Sequence, residues 1–151
     1  MVQSCDFAVI IVHSLAHAVA ALTASAETGR KVTLASAPDA GIYAGPGWFG
    51  GLIAAALEAV PAAQCKILLD CGNDVGAVLA AIRAGIEAIV FTGRADVAER
   101  LADIARQRGS RLVTIRPEAA LDLGAEFVAL PETLLARCAG VLASHWSAPM
   151  P

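Results

Sequence analysis

Residues 67–93, ILLDCGNDVGAVLAAIRAGIEAIVFTG, constrain the fold more than any other part of the chain. A short apolar run ends in Asp70-Cys71-Gly72, a segment with helical spacing follows, and a second apolar run ends in Thr92-Gly93. A pattern that passes from a continuous apolar run to a 3.6-residue period and back is that of a strand–helix–strand unit. Parallel strands joined in this way take right-handed crossovers and are buried in a covered sheet.

The rest of the chain repeats the unit. Residues 7–12 form a β-branched apolar run, and Leu15, Val19, Leu22 and Ala26 then fall on one helical face before a stop at Gly29. Residues 32–35 read as a second strand. The stretch SAPDAGIYAGPGWFGG follows, and its Pro and Gly residues predict the longest irregular segment. A second helix is expected over 52–60, stopped by Pro61, and a third strand over 66–69. In the third helix Val75, Val78, Leu79 and Ile82 share a face, Asn73 or Asp74 caps the start, and Gly85 ends it. Residues 88–91 are a fourth strand, a helix begins near Asp96 and ends at Gly109, and 111–115 are a fifth strand. A short sixth strand is expected at 126–130, before a last helix opened by Pro131. The expectation is one three-layer α/β/α domain over residues 1–151, with a mostly parallel sheet of five to six strands in flavodoxin-like order. Residues 118–151 are then a C-terminal extension ending in a helix. An open half of a (βα)8 barrel is the alternative.

Composition narrows the function classes. The net charge of −3 lacks the basic excess of a general nucleic-acid binder. Residues 7–26 contain no Asp, Glu, Lys or Arg, but His13, Ser14 and His17 interrupt them, so strand followed by helix is expected there in place of a membrane span. Cys5, Cys65, Cys71 and Cys138 make no CxxC pair and read as reduced thiols of a cytoplasmic protein. Charged residues are only 17% of the chain, and the first three helices carry almost none on any face, which points to a homo-oligomer interface.

Ligands of parallel α/β sheets bind outside the carboxyl ends of the strands. Here those ends carry His13-Ser14, Ser36 with Asp39, Asp70-Cys71-Gly72-Asn73, Thr92-Gly93-Arg94 and Arg116. Asp70, directly after an apolar strand, can serve as general base, metal ligand or ribose acceptor, or can accept neighbouring backbone N–H groups. Cys71 is a nucleophile only if a helix N-terminus lowers its pKa, and otherwise a small buried thiol. His13 and His17, four apart, can chelate a metal from one helix face, but they lack the glutamate of an HExxH site, and no metal is expected. GPGWFG at 45–50 matches G-x-G-x-x-G and Asp70 stands 20 residues beyond it. Eight residues separate it from Ser36, however, whereas a dinucleotide fingerprint follows its strand at once. A covering wall with Tyr43 and Trp48 is expected instead.

Asp70, Thr92 and Arg116-Pro117 at the ends of the third, fourth and fifth strands resemble the phospho-acceptor Asp, the Thr/Ser and the Lys-Pro of response-regulator receivers. His13-Ser14 stands where the receivers hold their acidic metal-binding pair, and Arg116 replaces lysine, so the resemblance implies topology without phosphotransfer. The turn AIRAGIEAIVFTG resembles (βα)8-barrel aldolases and isomerases. A Schiff-base aldolase would need a lysine at a strand's carboxyl end, and Lys31 and Lys66 both stand at the other end.

The expected function is binding of a small polar or anionic metabolite at the strands' carboxyl ends, with cofactor unknown. Asp70 and His13 would be the catalytic pair of any lyase or isomerase chemistry. Asp39, Tyr43, Trp48, Cys71, Asn73, Thr92, Arg94 and Arg116 would be the ligand contacts. The rival expectation is a non-catalytic homo-oligomeric assembly protein.

Overall fold

A computed structural model describes residues 7–145; Cys5, with the MVQSCD start, lies outside the described residues. The elements are β1 (Ala8–Ile11), α1 (Leu15–Thr28), β2 (Val32–Ala35), α2 (Ala40–Tyr43), α3 (Gly45–Ala59), β3 (Cys65–Asp70), α4 (Val75–Arg83), β4 (Ala88–Val90), α5 (Ala95–Gln107), β5 (Arg111–Val113), β6 (Leu121–Asp122), a 3-10 turn (Leu123–Glu126) and α6 (Pro131–Ser144). They make a three-layer-like α/β fold consistent with the expected flavodoxin-like class, except that its third layer is extended chain in place of helices and its strands are wound stepwise, not in the order 2-1-3-4-5. Its six-stranded sheet has the order β5-β4-β3-β2-β1-β6, and every pair is parallel.

The strand order decides what covers each face. Each crossover from β1 to β5 steps to the next neighbour in one direction, so right-handed connections put their helices on one side. Ala8, Ile10, Val12, Leu34, Leu69, Ile89 and Phe91 accordingly share one buried core with residues of α1, α3, α4, α5 and α6. The alternate residues Val9, Ala35, Leu68, Ala88 and Val90 form a second cluster on the opposite face. The connection from β5 back to β6 runs the other way and so crosses that second face. It must span five strand spacings, roughly 24 Å. The eight steps from Val113 to Leu121 reach at most roughly 26–29 Å. Residues 114–120 are therefore an extended strap with little slack, and Ala119 packs on the second cluster. The stepwise winding is also the one the half-barrel alternative would have.

Three local expectations are corrected. The Pro/Gly-rich stretch is mostly helical, because Pro46 falls in the first turn of α3, where its missing N–H costs nothing. Gly45, at φ +84°, makes the sharp joint with α2. The helical cost of the glycines is offset by burying Phe49, Leu52, Ile53 and Ala56. The second helix thus begins at Gly45, ahead of residue 52. The sixth strand is Leu121–Asp122, in register with Ile10 and Ile11, because the Ala120 N–H reaches the Val9 carbonyl at 2.8 Å and locks that register. Residues 126–130 end the 3-10 turn and leave Phe127, Val128 and Leu130 exposed. The fifth strand stops at Val113, leaving Ile115 exposed in the strap.

The scarcity of charge on α1, which carries only Glu27 near its end, has a cause within one chain. The helix is packed between α3 and α6, with His17, Ala18, Ala20, Ala21, Leu22, Ala24 and Ser25 buried. Among the described residues, no helix is long and apolar enough to cross a membrane. At the amino ends of the strands, the Nζ atoms of Lys31 and Lys66 stand 5.4 and 4.8 Å from the Phe7 ring centroid. Both cations favour the negative face of the ring.

Phe49 is fully buried where α3 meets the sheet. Phe49→Ala is expected to cost about 3–4 kcal/mol in urea denaturation. Trp48→Ala, one residue away and half exposed, is expected to cost less than half of that.

Candidate functional site

Asp70 closes β3 with its side chain on the strap-covered face and is 4% exposed. Its N–H donates to Ser36 Oγ at 2.9 Å. Its Oδ1 accepts from the backbone N–H groups of Asp39 at 3.0 Å and Gly72 at 2.9 Å. Arg116, from the strap, completes the shell as a fork: Nη2 donates to Oδ1 at 3.0 Å and Nε to Oδ2 at 2.5 Å. Burial by itself would push the Asp70 pKa up. The bonds from Arg116, Asp39 and Gly72, with the guanidinium charge, outweigh burial and hold it below the ordinary carboxylate value. Three of these four donors converge on Oδ1, so the carboxylate has little basic capacity left. Asp70 is thus built as an anchor for the strap, and its engagement argues against a general base.

Local backbone geometry makes this shell possible. Asp39 adopts the left-handed region at φ 63°, the single non-glycine residue to do so among the described residues, and this turns its N–H toward Asp70. Gly72, at φ +52°, leaves no room for a Cβ, which would stand 2.1 Å from Asp39 Oδ1. The same Asp39 Oδ1 lies 3.6 Å from Arg116 Nη2, so the guanidinium sits between two carboxylates.

Beside this pair lies a cavity of about 230 Å³ between sheet and strap. Val9, Ile11, Ala35, Leu68 and Val90 form its floor, and Pro38, Pro117 and Ala119 its walls. Ser36, Asp70 and Arg116 are its polar groups. The Ser36 hydroxyl already donates to the Ala37 carbonyl and accepts from Asp70 N–H. The donors left over belong to Arg116, chiefly its Nη1.

Of the residues expected from sequence, Asp70 and Arg116 meet at the cavity and Asp39 touches both. The others go elsewhere. Cys71 points to the helix side, fully buried, and its thiol is pushed up to about 12 by burial and by the charges of Asp70 and Asp74, so it is no nucleophile at neutral pH. Tyr43 is 69% exposed on α2 and Trp48 is half exposed on α3; neither lines the cavity. Asn73 and Thr92 are exposed, and Thr92 contributes its backbone N–H to the Gly72 carbonyl at 2.7 Å. Arg94 turns away to a fork with Asp96, at 3.1 and 2.9 Å. His13 bonds Asp122 through Nε2 at 2.6 Å, and no hydrogen bond joins it to Asp70.

Sequence reasoning missed Asp122 and the strap as a wall, although a signal was present. Leu69-Asp70-Cys71-Gly72 and Leu121-Asp122-Leu123-Gly124 are the same Leu-Asp-x-Gly pattern. In both, the aspartate Oδ1 accepts the glycine N–H two residues on, at 2.9 Å, an Asx turn that ends a strand. Each aspartate also bonds a basic side chain, Arg116 or His13.

His17 is buried beneath His13, and its Nδ1 accepts the His13 backbone N–H at 3.1 Å. Its Nε2 has no hydrogen-bond partner. Burial lowers its pKa, the nearby Glu126 carbonyl only partly opposes this, and His13 lowers it further. Among the described residues, no group of three or more His, Cys, Asp or Glu is arranged to hold a metal ion. No known protein family matches the chain, and no curated protein matches it.

Two outcomes test this electrostatic picture. Asp70→Ala frees Arg116 and leaves two backbone N–H groups without an acceptor. It should destabilise by about 2–4 kcal/mol, the range reflecting the half-exposed Arg116, with Asp70→Asn milder because an amide oxygen still accepts. For His17 the folded state favours the neutral ring, so stability present at neutral pH is lost as pH falls below about 6.5, where the unfolded chain takes up the proton. Thermal melts between pH 7 and 5 should show this loss, and His17→Leu should flatten it.

Proposed function

We propose that this chain binds a small metabolite with an apolar body and one polar end in the cavity between sheet and strap, the polar end meeting Arg116. The observation that carries the reading is the 230 Å³ cavity, apolar on its floor, with an Arg116 guanidinium already held by Asp70 at its edge. An arginine fixed by a carboxylate presents its remaining N–H groups in a set geometry, which lowers the ordering cost of binding. The volume lies below the roughly 300–1,000 Å³ of drug-sized pockets, which favours a ligand of a few carbons. Asp39 and Asp70 together outweigh the single charge of Arg116, so a neutral acceptor such as a carbonyl or hydroxyl oxygen suits the site better than an anion.

The reading is tested with butanone, pentanone and cyclohexanone as probes in methyl-resolved NMR titrations. Shifts confined to Val9, Ile11, Leu68 and Val90 are expected, and Ala35→Leu, which fills the floor, should abolish them. Shifts that survive Ala35→Leu unchanged would sink the proposal.

A second reading, homo-oligomeric assembly, is favoured by one observation. Leu15, Ile42, Tyr43, Trp48, Val75, Ile115, Phe127, Val128 and Leu130 are large, apolar and exposed, and all lie in the strap or in loops and first helical turns after a strand's carboxyl end. A second copy covering that rim would remove them from water. Sedimentation of Phe127→Ser/Leu130→Ser as a monomer beside a dimeric parent would support it, and a monomeric parent at micromolar concentration would end it.

A further inference from the structure

The chain contains two lysines, Lys31 and Lys66, and both stand over one ring at the amino ends of the strands, 5.4 and 4.8 Å from the Phe7 centroid. Their ammonium groups are therefore no more than about 10 Å apart, close to one Debye length at roughly 0.1 M salt, and each feels the other's charge. The negative face of the ring offsets only part of that repulsion. Among the described residues, neither lysine is ion-paired to a carboxylate. At the other end of the sheet, by contrast, Arg116 lies between Asp39 and Asp70.

Beside the ring opens a cleft of about 290 Å³. Phe7, Ala8 and Leu142 supply its apolar wall, and Arg30, Lys31 and His145 are its polar side chains. Among the described residues no carboxylate lines it, although the chain as a whole has more acidic than basic side chains. Arg30 has a structural task there: its Nη1 donates to the carbonyls of Leu142 at 2.8 Å and Ala143 at 3.0 Å. Those carbonyls belong to the last turn of α6, the negative end of the helix. The guanidinium offsets a field that would otherwise repel an anion, so the charge of Lys31 acts on the cleft unopposed by the helix. Gly29 ends α1 at φ +67° on the rim, and a Cβ there would meet nothing within 4 Å.

We propose that this cleft binds the phosphoryl group of a small phosphate monoester. Lys31 is its principal contact, Lys66 adds to the field from the Phe7 ring, and the apolar part of the ester lies against Phe7 and Leu142. A phosphate monoester carries about −1.5 to −2 charges at neutral pH, which matches two lysines, whereas a carboxylate matches one. An ammonium group meets such an oxygen cluster as a compact charge with three donors. The volume, at the lower bound of roughly 300 Å³ for ligand pockets, sets the size of the ester. The site shares no lining residue with the strap cavity and does not depend on the reading of that cavity.

The experiment titrates phenyl phosphate, inorganic phosphate and phenol into the full chain and follows the NMR signals of Phe7, Ala8 and Leu142. Phenyl phosphate should give saturable shifts at these residues and none at Val90, which lines the strap cavity. Lys31→Gln should weaken binding about tenfold or more, and Lys66→Gln less. Asn and Asp tolerate the left-handed backbone of Gly29 better than most residues, so Gly29→Asn and Gly29→Asp differ chiefly by one charge. Gly29→Asp should weaken phenyl phosphate as Lys31→Gln does, while Gly29→Asn should leave it nearly unchanged. No saturable shift, an equal response to phenol, or an affinity indifferent to both Lys31→Gln and Gly29→Asp overturns the site. Inorganic phosphate binding as tightly as phenyl phosphate overturns the ester in favour of the free ion.

Discussion

The buried carboxylate of Asp70 is the contact on which the upper half of this molecule depends. It gathers four hydrogen bonds from three separate parts of the chain: the turn after β2, the turn after β3, and the strap after β5. An ionised group with so little exposure is tolerable only when fully paired, and here the pairing is what ties the strap to the sheet. The cavity lies beside that tie, between the strap and Val9, Ala35 and Leu68.

The reach of the strap follows from strand order. Winding stepwise from β1 to β5 carries the chain to one edge of the sheet, and closing the far edge with β6 forces a return across the face that no crossover helix covers. A short extended segment is enough because the floor residues are small: valine, alanine and leucine need only a thin cover. The same return brings Asp122 beside His13, so the Asp70–Arg116 ion pair and the His13–Asp122 contact are products of one topological step.

The site residues that sequence reasoning weighed most heavily divide by the range of their interactions. Asp70 was legible as the polar end of an apolar strand. Its function as an anchor was not, because Arg116 lies 46 residues away and its pairing depends on where the strap crosses. Cys71 was legible only as an alternative between nucleophile and buried thiol, and strand alternation settles it by turning the thiol into the core. Tyr43 and Trp48 looked like a loop wall because proline and glycine suggested irregularity. Placing Pro46 in a helix's first turn instead puts both aromatics on helices, facing away from the cavity. The Leu-Asp-x-Gly pattern could have shown Asp122, since it marks the same strand-ending turn as at Asp70.

What the sequence determined by itself is local: buried strands from continuous apolar runs, α4 from its spacing and its Asp74 cap, helix ends at Gly29, Gly85 and Gly109. These rest on steric and hydrogen-bonding preferences that act within a turn or a strand. Strand order, the position of β6, and the partners of Asp70 and His13 were decided only in three dimensions. The His13–Asp122 contact joins residues 109 apart, and nothing local to either selects the other. That choice is made when burying the apolar faces fixes which strands lie side by side and in what register.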